Sequence, residues 1–303
     1  MTTTLTDHYP TRLPEPGGLV PRHDPVAWGD PANGPLEPGE FEAFADRGHH
    51  HGPHPLFSPH EVEDFRQEAA RLAAEPALRA DERTVVEEAS QEVRSVFEVH
   101  RISPVFARLA ADPRLADVAR QILGSEVYVH QSRVNYKPGF TGGPFYWHSD
   151  FETWHAEDGM PQPRALSVSI ALTENFPYNG SLLIIPGSHR TFVPCVGRTP
   201  PDHHRTSLRT HSATVGMPDR GAVRDLAEQG GGIDQFTGPP GSATFFDSNC
   251  MHGSNGNITP YPRSNVFLVY NSVGNTLGPP YAAPAPRPPY IASRDFTPVG
   301  EAR

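Results

Sequence analysis

The chain has 303 residues and is poor in cysteine, in lysine and in long apolar runs. Its two cysteines, Cys195 and Cys250, exclude a disulfide framework and a multi-cysteine metal cluster, and they fit a cytoplasmic setting. No run of 18 apolar residues occurs, so no membrane-spanning segment is expected. The opening Met1-Thr2-Thr3-Thr4-Leu5-Thr6 lacks the basic-then-apolar pattern of a secretory signal. Lys137 is the sole lysine, read here as a bias towards arginine rather than as function. With no basic tract and a net charge of −10, nucleic acid is not an expected partner. A hydrophobic fraction of 36% is enough for a sizeable core and excludes wholesale disorder. Proline (35) and glycine (27) are abundant, which favours loops, short strands and extended ends over a helical bundle.

Residues 1–38 carry eight prolines and no periodicity, and read as a flexible or wrapping N-terminal arm. Residues 279–303 carry seven more and read as an extended tail. Two helices have start signals. Ser58-Pro59-His60-Glu61 is a capping box with proline at the first helical position, followed by Val62, Phe65, Ala69 and Leu72 on one face. Asp112-Pro113 opens another, with Leu115, Val118, Ala119 and Ile122 buried and Gly124 as its stop. From Val127 the period becomes two. Strands are expected at 127–136, 166–173, 181–185, 242–246 and 266–270. Helices followed by many short strands predict a mainly β fold with flanking helices, a sandwich or barrel. The polar stretch 197–232 interrupts the strands, with one short helix near Arg220–Gln229, and has the character of a lid. Strict alternation in 127–136 puts Gln131, Arg133 and Asn135 on one face, which is either a solvated exterior or the lining of a polar interior.

The densest chemistry lies in residues 145–164, FYWHSDFETWHAEDGMPQPR. His148 and Asp150, two apart at a strand end, share a face and can reach one ion. His252 follows a second strand. Two histidines and one carboxylate leave metal positions open, the arrangement of Fe(II) oxygenases. Arg263, eleven residues beyond His252, starts a strand and suits the far carboxylate of a dicarboxylic acid; its alternative is a surface salt bridge. His49, His50, His51 and His54 read as an exposed loop, and His203 and His204 as solvated. His155 reads as a neighbour of the site rather than a fourth ligand, and Cys250 as no ligand. Trp147 and Trp154 are either core residues or faces for a cationic, delocalised ligand.

These residues resemble the signature of ectoine hydroxylases, a branch of the phytanoyl-CoA-hydroxylase-like dioxygenases. VYVHQSRVNYKPGF before the segment, and NCMHGSNGNITPYPRSN and VYNSVGN after it, share the resemblance, which covers about residues 95–295. It implies a double-stranded β-helix (jelly-roll) core and oxidation of ectoine to 5-hydroxyectoine with Fe(II), 2-oxoglutarate and O2, releasing succinate and CO2. It also implies metal ligands at His148, Asp150 and His252, and a 2-oxoglutarate carboxylate anchor at Arg263. Other cosubstrate contacts would be Asn135, Trp147 and Ser169. Ectoine contacts would be Gln131, Thr153, Trp154, Phe267 and Arg287. The inward reading of Gln131, Arg133 and Asn135 follows from the same resemblance, as does a homodimer. The chain then divides into an arm (1–38), one dioxygenase domain (39–295) with its insertion (197–232), and a tail (296–303). Two segments depart from the family. Residues 48–55, rich in histidine, glycine and proline, stand where the family has an apolar strand and are expected to pair poorly. Gln162-Pro163-Arg164 stands where the family has Arg-Met-Arg. The rival readings are a 2-oxoglutarate hydroxylase of another small amino-acid-like substrate, a non-catalytic metal-binding jelly roll, and a zinc hydrolase on a cupin-like barrel. The anchor at Arg263 disfavours the second, and the lack of a general-base glutamate beside the ligands disfavours the third.

Overall fold

Two proline-led helices form where their caps place them. Ser58 Oγ accepts from the Glu61 amide at 3.3 Å while Glu61 Oε2 accepts from the Ser58 amide at 2.8 Å, and helix Pro59–Ala74 follows. Asp112 Oδ1 accepts from the Arg114 amide at 2.9 Å and opens helix Pro113–Leu123. Each cap contributes about 1 kcal/mol. The second helix stops at Gly124 with φ +60°, where a Cβ would lie 2.6 Å from the carbonyl oxygen of Trp28. Only glycine fits both the turn and that approach.

The structure is a computed structural model that describes residues 7–87, 90–208 and 215–300. Its strands are β1 (Val20–Pro21), β2 (His49–His51), β3 (Thr84–Val86), β4 (Val93–Phe97), β5 (Val127–Lys137), β6 (Phe145–His148) and β7 (Ala165–Ala171). They continue as β8 (Leu182–Ile184), β9 (Thr191–Phe192), β10 (Asp234–Phe236), β11 (Ala243–Asp247), β12 (His252–Ser254) and β13 (Arg263–Ser272). A seven-stranded sheet runs β2-β11-β7-β13-β5-β4-β3, and a four-stranded sheet runs β10-β8-β12-β6. All pairings within these sheets are antiparallel. This is the jelly-roll core, mainly β with flanking helices.

One face of the large sheet carries the apolar core. Val62, Phe65 and Leu72 of one helix and Leu115, Val118 and Ile122 of the other pack with Val129, Val134, Val168, Ile170, Val266 and Leu268. Each such side chain, fully buried, contributes roughly 1.5–3 kcal/mol. The opposite face looks towards the small sheet and is polar. Strict alternation does not produce it. In β5, Val269 pairs with Gln131 and Tyr270 with Val129, so His130 is an extra, bulged residue. The bulge keeps Val127 and Val129 on the helix side while turning His130, Gln131, Arg133 and Asn135 inward. A bulge also shifts β6 against β12: His252 opposes His148 but Ser254 opposes Phe145.

One expectation is corrected. Residues 49–51 pair in register with β11, His51 with Thr244, His50 with Phe245 and His49 with Phe246. His49 Nε2 lies 2.7 Å from Asp234 Oδ2 and His51 Nδ1 lies 2.8 Å from Thr244 Oγ1. An edge strand tolerates such residues when side-chain partners exist, and only His54 of the four histidines is exposed. The arm, in its described part, lies along the domain. Tyr9 is 1% exposed, β1 pairs with β9, Leu36 joins the core, and Arg22 forks onto Asp247 with both oxygens at 2.9 Å. At the other end Phe296 packs on Tyr128 and the Val299 amide donates to Val127 O at 2.8 Å.

Candidate active site

β6 and β12 are neighbours in the small sheet, so their register places His148 opposite His252. Asp150 opens the short helical turn Asp150–Thr153 just past β6, capped by Ser149 Oγ. Nε2 of His148 lies 3.6 Å from Asp150 Oδ1, and Nε2 of His252 lies 3.8 Å from Asp150 Oδ2. One ligand atom from each of the three lies within 4.8 Å of the others. The Nδ1–H of His148 donates to Tyr146 O at 2.7 Å, and that of His252 to Cys250 O at 3.0 Å. Both Nε2 lone pairs therefore face the carboxylate, as metal ligation requires. Burial and the neighbouring His148 push His252 down to about 4, which keeps it neutral. Burial opposes ionisation of Asp150, but in the acid range, where His252 gains its proton, His252, His148 and Arg133 outweigh it and hold the carboxyl well below its ordinary range. Two imidazoles that aim Nε2 at one carboxylate fit a divalent cation with open positions.

Arg263 opens β13 opposite Lys137 of β5. Its guanidinium is 4% exposed, donates to Gly180 O at 2.7 Å, and has an unpartnered Nε. Among the described residues no carboxylate pairs with it, so the surface salt bridge is set aside. Burial lowers its pKa to about 10. The Lys137 ammonium sits nearby, bound by Ser254 Oγ at 2.8 Å and Asn255 O at 2.5 Å. A buried guanidinium beside a buried amine whose charge it suppresses suits an anionic ligand, which would stabilise both. Asn135 accepts from Ser95 Oγ at 2.7 Å. Asn265 donates to Ser169 Oγ at 2.8 Å and leaves its own oxygen unpartnered.

A cavity of about 160 Å³ opens beside the triad. That is small for a drug-sized pocket and suits a compact molecule. Gln131, Thr153, Trp154 and Arg287 line it together with His148 and Asp150. Trp154 is 2% exposed and meets His130 edge to face at 4.9 Å. Gln131 donates to Ile291 O at 2.8 Å, which ties the tail to the cavity wall. Phe267 sits deeper, under the Arg133 guanidinium at 5.3 Å. Arg287 is already forked onto Asp158, at 2.8 and 2.5 Å. Trp147 stands apart from the cavity wall and packs against Ile185, Val193, Leu226 and Met251 on the far face of the small sheet. His155 is 1% exposed, donates to Met160 O at 2.8 Å and stacks on Tyr281. Cys250 Sγ, buried, contacts Gly48 O at 3.1 Å and stays out of the ligand set.

Sequence reasoning missed four residues of this site. Lys137 was visible as the lone lysine but carried no charge partner to mark it. Arg12 reaches the cavity from the arm, Glu157 from the π-helix Trp154–Asp158, and His203 from the insertion. His203 and His204, expected in solvent, are largely buried, His203 on Glu157 at 2.9 Å. No local pattern joins these segments; only the fold does.

A family model described as phytanoyl-CoA dioxygenase (PhyH) matches residues 51–265. Proteins named ectoine dioxygenase from Nocardia farcinica and Streptomyces coelicolor are each 57% identical to this chain. The first alignment covers 97% of this chain and 95% of that protein, the second 98% of both. The crystal structure of EctD from S. alaskensis with 2-oxoglutarate and 5-hydroxyectoine is similar at 47% identity and TM-score 0.85 over 97% of each chain. The same protein with bound Fe gives 46% and 0.83 over the same shares. With the family model spanning well over half of its residues, the chain belongs to the phytanoyl-CoA dioxygenase family.

Proposed function

We propose that this protein hydroxylates ectoine to 5-hydroxyectoine, using Fe(II), 2-oxoglutarate and O2 and releasing succinate and CO2. The observation that carries this reading is the pairing of an open His148–Asp150–His252 face with the buried, carboxylate-free guanidinium of Arg263. Relatives 57% identical bear the name ectoine dioxygenase, which supports the choice of substrate. Iron at the triad would supply the redox chemistry that couples O2 to decarboxylation of the 2-oxo acid. The chain does the rest. Arg263 and Lys137 hold the far carboxylate of 2-oxoglutarate, and Asn135, Asn265 and Ser169 give hydrogen bonds along its length. Trp154 presents a ring face to the delocalised cation of ectoine. Gln131, Thr153, Phe267 and Arg287 bound the substrate, and the roof formed by the insertion excludes water. No helix among the described residues is long and apolar enough to cross a membrane; the reading includes a cytoplasmic homodimer, which sedimentation tests.

The test is anaerobic reconstitution with Fe(II), addition of 2-oxoglutarate and ectoine, admission of O2, and joint assay of succinate and 5-hydroxyectoine. Matched formation of both, lost in His148→Ala, is the expected result. Succinate alone would keep the dioxygenase and remove ectoine as its substrate. Neither product from folded, iron-loaded protein would remove the enzyme reading.

A further inference from the structure

The roof of the cavity is built from charges that come from four separate segments. Arg12 of the arm is 2% exposed and grips Glu152 through Nε at 2.8 Å and Nη2 at 3.0 Å. The same Nη2 lies 3.1 Å from Glu157 Oε1. His203 of the insertion bonds Glu157 through Nδ1 at 2.9 Å. Arg287 of the tail is committed to Asp158. Arg294 touches only carbonyl oxygens, those of Leu277, Gly278 and Asp158.

Matching by contact leaves a remainder. Glu152 and Glu157 share one guanidinium, and Asp158 has its own. Glu157 therefore has no guanidinium of its own: it shares Arg12 with Glu152, and its other contact is His203. On the same cavity Arg133 makes no close ion pair among the described residues, feels Asp150 only at a distance, and has an unpartnered Nε. Arg12 Nη1 is also buried and unpartnered. Buried charges in this state are costly unless a ligand completes them. A cavity with a shared-partner carboxylate on one wall and a guanidinium without an ion pair on another suits a zwitterion. Trp154 and Glu157 sit in one π-helical turn, which brings an aromatic face and a carboxylate to the same cavity.

We propose that Glu157 is a substrate-recognising residue whose carboxylate takes the cationic amidine nitrogen of ectoine, and that Arg12 and His203 are the positioning residues that aim it. The inference rests on the reading of the protein as an ectoine hydroxylase. It explains why the arm reaches the site at all. Thr11 and Arg12 bond Glu152, and Leu13 N and O bond Cys195 O and Gly197 N, so the arm is stitched to the segment leading into the insertion. Burial would raise the Glu157 carboxyl, but His203, Arg287 and Arg12 outweigh it and keep it ionised. Gly216, at φ +75°, lies so close that a Cβ there would sit 2.6 Å from Arg12 Nη2, so the insertion closes directly over the arginine.

The experiment compares ectoine with a neutral lactam analogue in which the amidine is a cyclic amide and the carboxylate is kept. Affinities are measured by calorimetry on anaerobic, Fe(II)- and 2-oxoglutarate-loaded protein, beside KM and kcat for ectoine. Wild type should prefer ectoine by about 30-fold or more, as a charge-assisted bond of about 2 kcal/mol requires. Glu157→Gln, near-isosteric, should reduce that preference to within about threefold, with the loss in KM rather than kcat. Arg12→Lys should keep most of the preference and Arg12→Ala lose it. An unchanged preference in Glu157→Gln would overturn the proposal. If that variant does not fold, Glu157→Asp decides: its carboxylate is withdrawn by one methylene, so an undiminished preference would overturn the proposal equally. Wild type that neither binds nor hydroxylates ectoine would instead defeat the underlying reading.

Discussion

Lys137 stands in an environment that disfavours its charge. Burial, with Arg263 and Arg94 nearby, lowers its pKa from an ordinary 10.5 to about 6. The unfolded chain then binds a proton that the ligand-free native state lacks between about pH 6 and 10.5. The group costs stability in full below that window, and the cost fades as pH rises through it. A dicarboxylate bound at Arg263 and Lys137 reverses this, because its charge restores the ammonium. Binding of 2-oxoglutarate at pH 8 should therefore take up close to one proton, read as a difference in calorimetric enthalpy between buffers of unlike ionisation heat. Lys137→Met should abolish the uptake and weaken binding about tenfold or more. Equal uptake in the variant, or none in wild type, would show that Lys137 does not face the cosubstrate. The residue scale is also where the sequence was most informative. His-x-Asp, His252 and Arg263 each mark chemistry by type and spacing. Lys137 and Glu157 carry ordinary residue types in ordinary places, and only burial beside other charges makes them unusual.

At the scale of the element, β5 explains why the polar face was legible but its construction was not. Alternation from Val127 would have put Val127 and Val129 on the same face as Gln131, against the apolar helix layer's demand. The bulge at His130 resolves that conflict, and nothing in the string VYVHQSRVNYK announces it. This gives a sharp contrast between two deletions. Removing His130 leaves Val129 outward and Gln131 inward, so the strand keeps its faces and loses only the imidazole beside Trp154. Removing Val134 must flip either Gln131, Ser132 and Arg133 or Asn135, Tyr136 and Lys137, and either slip drives a basic side chain into the helix-packed core. The first variant should be recovered folded, with weaker ectoine binding as Trp154 loosens. The second should be insoluble or lack a cooperative thermal transition. Comparable folding of both would mean that the bulge is not what sets the inward face. The strand at 49–51 was misread for the opposite reason: strand propensity describes a residue's average fit, whereas Asp234 and Thr244 supply these histidines with particular partners.

For the whole molecule, the arm and the tail are parts of the site rather than appendages. Their proline content reads as lack of structure because prolines give no periodicity, yet a chain that lies along a surface needs none. What holds the arm is a few specific contacts, among them two buried ion pairs, Arg12 on Glu152 and Arg22 on Asp247. Both side chains of the second pair are almost fully buried, at 2% and 3% exposure, and Arg22 also donates to Pro25 O and Pro163 O at 2.8 and 2.7 Å. Asp247 ends β11, five residues before His252, and also accepts from the Asn249 amide at 2.7 Å. The pair therefore fastens the arm to the loop that delivers His252 of the candidate metal site. Truncating one partner strands a buried charge, so Arg22→Ala should cost about 3–5 kcal/mol in urea unfolding. Arg22→Met combined with Asp247→Leu should cost clearly less than Arg22→Ala alone, because neither charge is then left unpaired. A loss in Arg22→Ala no larger than that of an exposed pair, below about 1 kcal/mol, would mean that the arm is held by its apolar contacts at Tyr9 and Leu36 instead. If the larger loss is found, the arm is bound firmly enough to keep Arg12 beside the cavity it lines.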